Sequence, residues 1–235
     1  MTKTLRIDIW SDIACPWCYV GKRRLEAALA RFPHREAVEI VWRAFELDPS
    51  APRERDSTAS YAGRLAKKYG SSVAEADGMI KRMTDSAASD GLDFRFDRIR
   101  PGNTFDAHRV IHLAGERGRQ DAGKERLLLA YMTEGEFMGD HDTLVRLGAE
   151  AGLDAEEVRA LLASDAHVKD VREDEDAARQ LGISGVPFFV LGGKYAISGA
   201  QPAEVILGVL ERAWEELAEP AVFAQGAACG PDGCA

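Results

Sequence analysis

The chain's four cysteines fall in two pairs: Cys15 and Cys18 near the start, Cys229 and Cys234 in the last seven positions. A pair spaced as Cys15-Pro16-Trp17-Cys18 can exchange with a disulfide, sense redox state, or hold half of a zinc site. At the exposed start of a helix, unpaired N–H groups and the helix dipole favour a thiolate, so Cys15 is expected to be the acidic, attacking sulfur. Pro16 suits the first helical turn, where its missing N–H has no intrahelical partner. Cys18, one turn deeper, could then attack a mixed disulfide at Cys15 and release the product. A zinc site completed by Cys229 and Cys234 has the weaker footing, because structural zinc pairs usually sit on tight knuckles and not between a strand and an amphipathic helix. No metal is therefore expected. Trp17 either shapes access to the sulfur or covers apolar surface.

Other residues bear on the same chemistry. Gly185-Val186-Pro187 opens a strand-like run, where it could present backbone groups to a bound substrate chain beside the cysteines. A negative charge at Asp12 would oppose a thiolate at Cys15, so capping or loop hydrogen bonding is its expected role. His108 and His112 have the i, i+4 spacing of paired metal ligands but lack an obvious third ligand nearby; lining the cleft opposite Cys15 is the better expectation for the pair. Arg117, Arg119, Arg159 and Arg172 read as solvated helical faces, and Met79 with Met83 as core.

The elements that must position these residues follow from periodicity. Leu5, Ile7 and Ile9 alternate with Arg6 and Asp8, a half-buried strand ending just before the cysteine pair. From Cys18 to about Phe32, Val20, Leu25, Ala28 and Leu29 recur at helical spacing. Residues 38–45 are rich in β-branched and aromatic side chains and read as a second strand. From about Ser57 to Gly182 nearly everything reads as helix, apart from the short alternating run Leu92 to Phe96. Strand character returns at Val186 to Leu191, and Gly192-Gly193 turns it into a hairpin with Lys194 to Ile197. A last helix starts near Pro202, with Val205, Ile206, Val209, Leu210, Trp214 and Leu217 in one stripe. Beyond Pro220 the composition of Ala, Gly and Pro reads as a mobile tail.

Composition bounds the function. A net charge of -9 with scattered basic residues argues against a nucleic-acid partner. The first ten residues carry no apolar stretch of signal length, and no later segment is apolar for long enough to span a bilayer, so a soluble, cytoplasmic protein is expected. In a reducing compartment, near-neighbour cysteines are more often catalytic, redox-sensing or metal-binding than permanent staples.

Cys15-Pro16-Trp17-Cys18 after a strand, Gly185-Val186-Pro187 and the long helical insert together resemble the DsbA-type thioredoxin-fold proteins, and within them the FrnE-like group. Residues 103–109, Asn103 to Arg109, and the run Ser198-Gly199-Ala200-Gln201 are similar to the same group. The resemblance implies an α/β thioredoxin fold, residues 1–56 and 183–218, interrupted by an α-helical domain over 57–182 and followed by a tail over 219–235. It further implies Cys15 as nucleophile, Cys18 as resolving sulfur and a cis Pro187. Pro16, Trp17, Val186, Asn103 and His108 would meet the substrate. Cys229 and Cys234 resemble a second redox pair found in some FrnE-like proteins, or are tail thiols that close on each other without function. The implied partners are protein thiols and disulfides, with glutathione or a thioredoxin-like reductant regenerating the pair and no cofactor beyond it. The superfamily also holds glutathione-using 2-hydroxychromene-2-carboxylate isomerases and kappa-class transferases, which usually carry serine at the position of Cys15. A glutathione-dependent isomerase and a non-catalytic chaperone or zinc-binding protein are the alternative expectations.

Overall fold

The chain opens with a strand, a helix and a second strand: β1 (Leu5–Ser11), α1 (Pro16–Arg31) and β2 (Val38–Ala44), the strands parallel with Leu5 opposite Val38 and Ser11 opposite Ala44. The computed structural model describes residues 3–54 and 60–218, with the backbone alone at Cys229–Gly230 and Gly233–Cys234. Seven helices follow β2: α2 (Tyr61–Tyr69), α3 (Val73–Ser89), α4 (Phe105–Glu116), α5 (Gln120–Leu129), α6 (His141–Glu150), α7 (Ala155–Leu162) and α8 (Val168–Gln180). A π turn extends α5 over Ala130–Glu134. The chain then returns to the sheet as β3 (Phe188–Leu191) and β4 (Tyr195–Ser198) and closes with α9 (Ala203–Ala218). The order across the sheet is β2-β1-β3-β4, with β3 antiparallel to both neighbours.

Alternation along β1 decides the layers. Leu5, Ile7 and Ile9 face a core shared with α1 and α9, whereas Trp10 faces away and packs with Ala178 and Ile183 at the end of α8. Trp10 Nε1 donates to the Asp174 carbonyl at 2.8 Å, and the Asp174 carboxylate accepts from Ala44 N–H and from Arg43, both at 2.9 Å. This joins α8 to the outer edge of β2. One hydrophobic cluster runs without a break from β1 through α1 into the helices that follow β2, including Leu127, Leu144 and Val158.

The short alternating run Leu92 to Phe96 is irregular; Phe94 and Phe96 drive into the core, where Phe94 stacks on Tyr19 and Phe96 lies 4.8 Å from the Tyr61 ring. Two expectations need correction. In α9 the buried seam is Ile206, Leu210 and Ala213, while Val205 and Leu217 stay 47% and 41% exposed, because the helix meets the sheet over a narrower arc than its apolar stripe. Arg172 is only half solvated: its guanidinium donates to the buried Glu46 carboxylate at 2.7 Å and lies 4.3 Å from the Phe105 ring. Among the described residues no helix is long and apolar enough to cross a membrane.

Candidate active site

The sheet delivers the cysteine pair through a short buried loop. Cys15 is the N-cap of α1 and Pro16 its first residue, with no side chain capping the helix and no acid in its first turn. Cys15 N–H donates to the Asp12 carbonyl at 3.3 Å and Cys18 N–H to the Cys15 carbonyl at 3.1 Å, which closes the first turn around the pair. Both sulfurs are free thiols, Cys15 being 5% exposed and Cys18 fully buried. Trp17 stands between them at 38% exposure, on the surface beside the reachable sulfur.

Opposite the helix start lies the Val186–Pro187 loop, whose peptide bond is cis. Val186 presents its carbonyl 3.5 Å from Cys15 Sγ. The Pro187 carbonyl accepts from Gly199 N–H at 2.9 Å, so Ser198-Gly199-Ala200-Gln201 backs this loop, and Ala200 in turn accepts from Arg24 of α1 at 2.6 Å. Gly21 makes the close approach feasible. A Cβ there would stand 2.9 Å from Pro187 Cγ and 3.3 Å from Phe189 Cζ, which is tighter than packed atoms tolerate.

Asp12 is a structural anchor. Its carboxylate accepts from Leu47 N–H at 2.8 Å and Ala14 N–H at 3.3 Å, and lies 3.4 Å from His108 Nε2. Burial opposes its ionisation, yet His108, the Leu47 N–H and the charge of Lys124 together hold the carboxyl below the ordinary range. His108 is itself buried, which lowers its pKa and keeps it neutral, with its Nε2 proton assigned to Asp12. It therefore braces the loop ahead of Cys15 from behind. Asn103 also has an internal role: its amide donates to Glu46 at 3.1 Å and to the Pro49 carbonyl at 3.4 Å, while its oxygen accepts from Phe105 N–H at 2.9 Å. Of the expected substrate-contacting residues, Trp17 and Val186 stand beside Cys15, Pro16 is buried in the first turn, and Asn103 and His108 serve the scaffold. Cys229 and Cys234 face each other in the antiparallel register of a short ladder, but their side chains lie outside the described residues.

The electrostatics of the pair differ from the expected division. The hydrogen bond with Cys18 and burial push the Cys15 thiol up. Burial also opposes ionisation of Cys18, but its hydrogen bond with Cys15, the charge of Lys124 and the Ser11 hydroxyl bring it down. The two sulfurs interact directly, so their ionisations belong to the pair and not to either residue alone. Exposure, in contrast, favours Cys15 as the sulfur a substrate reaches.

Lys124 has no place in the reading from periodicity alone. It projects from α5 and is fully buried, with Nζ 3.2 Å from the Ser11 carbonyl. Its signal was present in the sequence: Lys124 interrupts the apolar stripe formed by Leu127, Leu128 and Tyr131, a charged residue on a face otherwise built for the core. Tyr61 of α2 was also overlooked; burial, then the neighbouring Cys15 charge, pushes its hydroxyl far above the ordinary tyrosine range.

A family model, the DSBA-like thioredoxin domain, matches residues 6–211. The chain belongs to this family. The DSBA-like domain is similar to the crystal structure of a probable DsbA oxidoreductase from Streptomyces coelicolor, at 48% identity and a TM-score of 0.86, with 98% of each chain covered. YwbO of Bacillus subtilis, an uncharacterised protein, is 28% identical over 205 residues, 86% of this chain and 94% of that relative. The cytosolic disulfide reductase DsbM from Pseudomonas aeruginosa, solved with GSH, shares the fold at 17% identity and a TM-score of 0.61, over 89% of this chain and 99% of that one. At the level of the family, the DSBA-like domain is a thiol–disulfide oxidoreductase.

Proposed function

We propose that this chain exchanges disulfides with protein substrates through Cys15 and resolves the adduct with Cys18. The Cys15 thiolate attacks one sulfur of a substrate disulfide, forming a mixed disulfide and releasing the other substrate sulfur as a thiolate, which takes a proton. The Cys18 thiolate then attacks Cys15 Sγ. The Cys15–Cys18 disulfide forms, the substrate thiolate leaves, and the two electrons lost by the pair reduce the substrate. Run backward, the same steps oxidise a substrate dithiol, and a substrate that displaces itself on Cys15 is isomerised.

The observation carrying this reading is the asymmetry at the start of α1: Cys15 keeps 5% exposure beside the Val186 carbonyl, and its neighbour Cys18 is sealed beneath it. An exposed strand of substrate would pass between Trp17 and the Val186–Pro187 loop, in a cytoplasmic setting and without a cofactor beyond the pair. Glutathione or a thioredoxin-like reductant regenerates the thiols; the similar fold of a disulfide reductase solved with GSH supports glutathione. Cys229 and Cys234 act as a second redox pair, a role supported by their facing register.

Insulin reduction with glutathione as electron source tests the scheme. Cys15→Ser is expected to abolish turnover, and Cys18→Ser to stop at a covalent protein adduct visible by non-reducing electrophoresis and mass spectrometry. Turnover that survives in Cys15→Ser would reject the assignment.

A further inference from the structure

The helices beyond β2 enclose a cavity of about 730 Å³ between α2, α3 and residues 96–101, a size that takes a few residues of a peptide. Glu134 of the π turn and Gly135 after it form one wall, and such turns often mark functional sites. Gly135 has a φ of 75°, and a Cβ there would stand 2.5 Å from the Arg98 carbonyl oxygen, so only glycine lets the two segments meet. Arg98 and Arg100 flank the buried Ile99 and line the cavity as exposed side chains. Their backbone is held in advance: Arg95 N–H donates to the Met132 carbonyl and Arg98 N–H to the Arg95 carbonyl, both at 2.8 Å. Among the described residues neither arginine has an ion pair or a side-chain hydrogen bond. Neighbouring arginines do, Arg95 with Asp97 at 3.4 Å and Arg126 with Glu134 at 2.7 Å. Those pairs engage two acids of the cavity wall and leave Asp77 of α3 facing two free guanidinium groups. On a chain of net charge -9 this is a local reversal of sign. Tyr61 connects the cavity to the cysteines. Ring contacts of 6.1 Å from Tyr19 to Phe94, 5.8 Å from Phe94 to Phe96 and 4.8 Å from Phe96 to Tyr61 keep the Tyr61 ring within about 17 Å of Tyr19, the residue after Cys18, a span that about five extended residues cover. The Tyr61 hydroxyl has no hydrogen-bond partner among the described residues, so its donor is open to a ligand.

We propose that this cavity docks an acidic segment of the protein substrate, whose Asp or Glu side chains pair with Arg98 and Arg100 while a cysteine about five residues away reacts at Cys15. The proposal rests on the exchange reading above and adds a substrate class to it. Arginine suits the role, because its planar guanidinium takes a carboxylate through two parallel N–H donors. The overall charge of the chain repels acidic partners at long range, so the two unpaired arginines are what turns the balance at this face. Docking here holds the substrate before exchange; bonds form and break only at sulfur.

The test uses two synthetic peptides with one intramolecular disulfide each, identical except that glutamates placed about five residues to either side of the disulfide in one are glutamines in the other. With saturating glutathione as electron source, kcat/KM for the acidic peptide is expected to exceed that for its neutral twin by about three- to tenfold, through KM, and the preference to fade in high salt. Arg98→Gln/Arg100→Gln should bring the ratio near one and Arg98→Glu/Arg100→Glu below one. Arg117→Gln/Arg159→Gln removes the same charge outside the cavity and should keep the parent ratio. A parent without the preference, or an Arg98→Gln/Arg100→Gln variant that loses rate equally with both peptides, would overturn the proposal; equal loss would assign the arginines to the carboxylates of glutathione. Fluorescence anisotropy of labelled peptides with serine for both cysteines reads docking without exchange, and the same ratio is expected. A parent that reduces neither peptide would sink the exchange scheme, and the anisotropy would still decide the role of the cavity.

Discussion

Cys15 and Cys18 show that being reachable and being acidic are separate properties. The helix N-terminus acts on Cys15, but the hydrogen bond with Cys18, burial and the Asp12 charge push its thiol up, whereas the charge of Lys124 favours ionisation of Cys18. Because Cys18 is the main reason Cys15 is pushed up, first through the hydrogen bond and then through its charge, removing that sulfur should lower the Cys15 pKa. Alkylation of Cys15 followed against pH is therefore expected to move toward acid in Cys18→Ser, by on the order of one unit. A shift toward alkali would mean that Cys18 stabilises the Cys15 thiolate as a donor, and that the charge rests mainly on Cys15.

At the scale of elements, the contact between α1 and the Val186–Pro187 loop depends on Gly21 having no side chain. Gly21→Ala should push Pro187 away from the helix by a few tenths of an ångström, destabilise the protein by about 1 to 3 kcal/mol and slow insulin reduction. Gly208→Ala in α9, also with open space around it, is the control and should leave turnover unchanged and stability equal or up to about 1 kcal/mol higher. Equal behaviour of the two variants in denaturant titration and turnover would remove the steric argument. Much of this arrangement was legible in advance, because β1, α1, β2 and the hairpin each carry a local period or turn signal, and the cysteine pair falls between two of them. What was not legible depends on partners distant in the chain. The side chain of Gln120 bridges the exposed edge of β2 through Trp42 N–H and C=O, at 2.9 and 3.0 Å, and Trp42 Nε1 donates to Asp121 at 3.0 Å. Nothing in either segment alone announces that match. Asn103 and His108 were placed at the substrate by resemblance, and only their partners Glu46 and Asp12 reveal them as braces.

Across the whole molecule, α5 is bound to α1 by more than Lys124. Tyr19 donates to Glu125 at 2.6 Å, Arg23 pairs with the same carboxylate, and Lys22 bridges to Asp121 at 3.2 Å and Glu125 at 3.1 Å. The helices beyond β2 are thus fastened to the helix that carries the cysteines, and the buried groups at this junction make stability depend on pH. Lys124 has a folded-state pKa of about 8, below the ordinary 10.5. Between those values the unfolded chain holds a proton that the folded chain has released, so stability rises with pH, by up to about 3 kcal/mol. Cys15, Tyr19, Tyr61 and Tyr131 act in the opposite direction: the hydrogen bond with Cys18 raises the thiol and burial raises the three phenols, so above about pH 9 for the thiol and about pH 10 for the phenols the unfolded chain ionises them while the folded chain does not, and stability falls. The reduced protein should therefore be most stable in mild alkali. Lys124→Met should lack the rising limb while keeping the alkaline fall. Denaturant midpoints of the reduced proteins across this range provide the check, and parallel profiles would show that Lys124 is not carrying a buried charge at neutral pH.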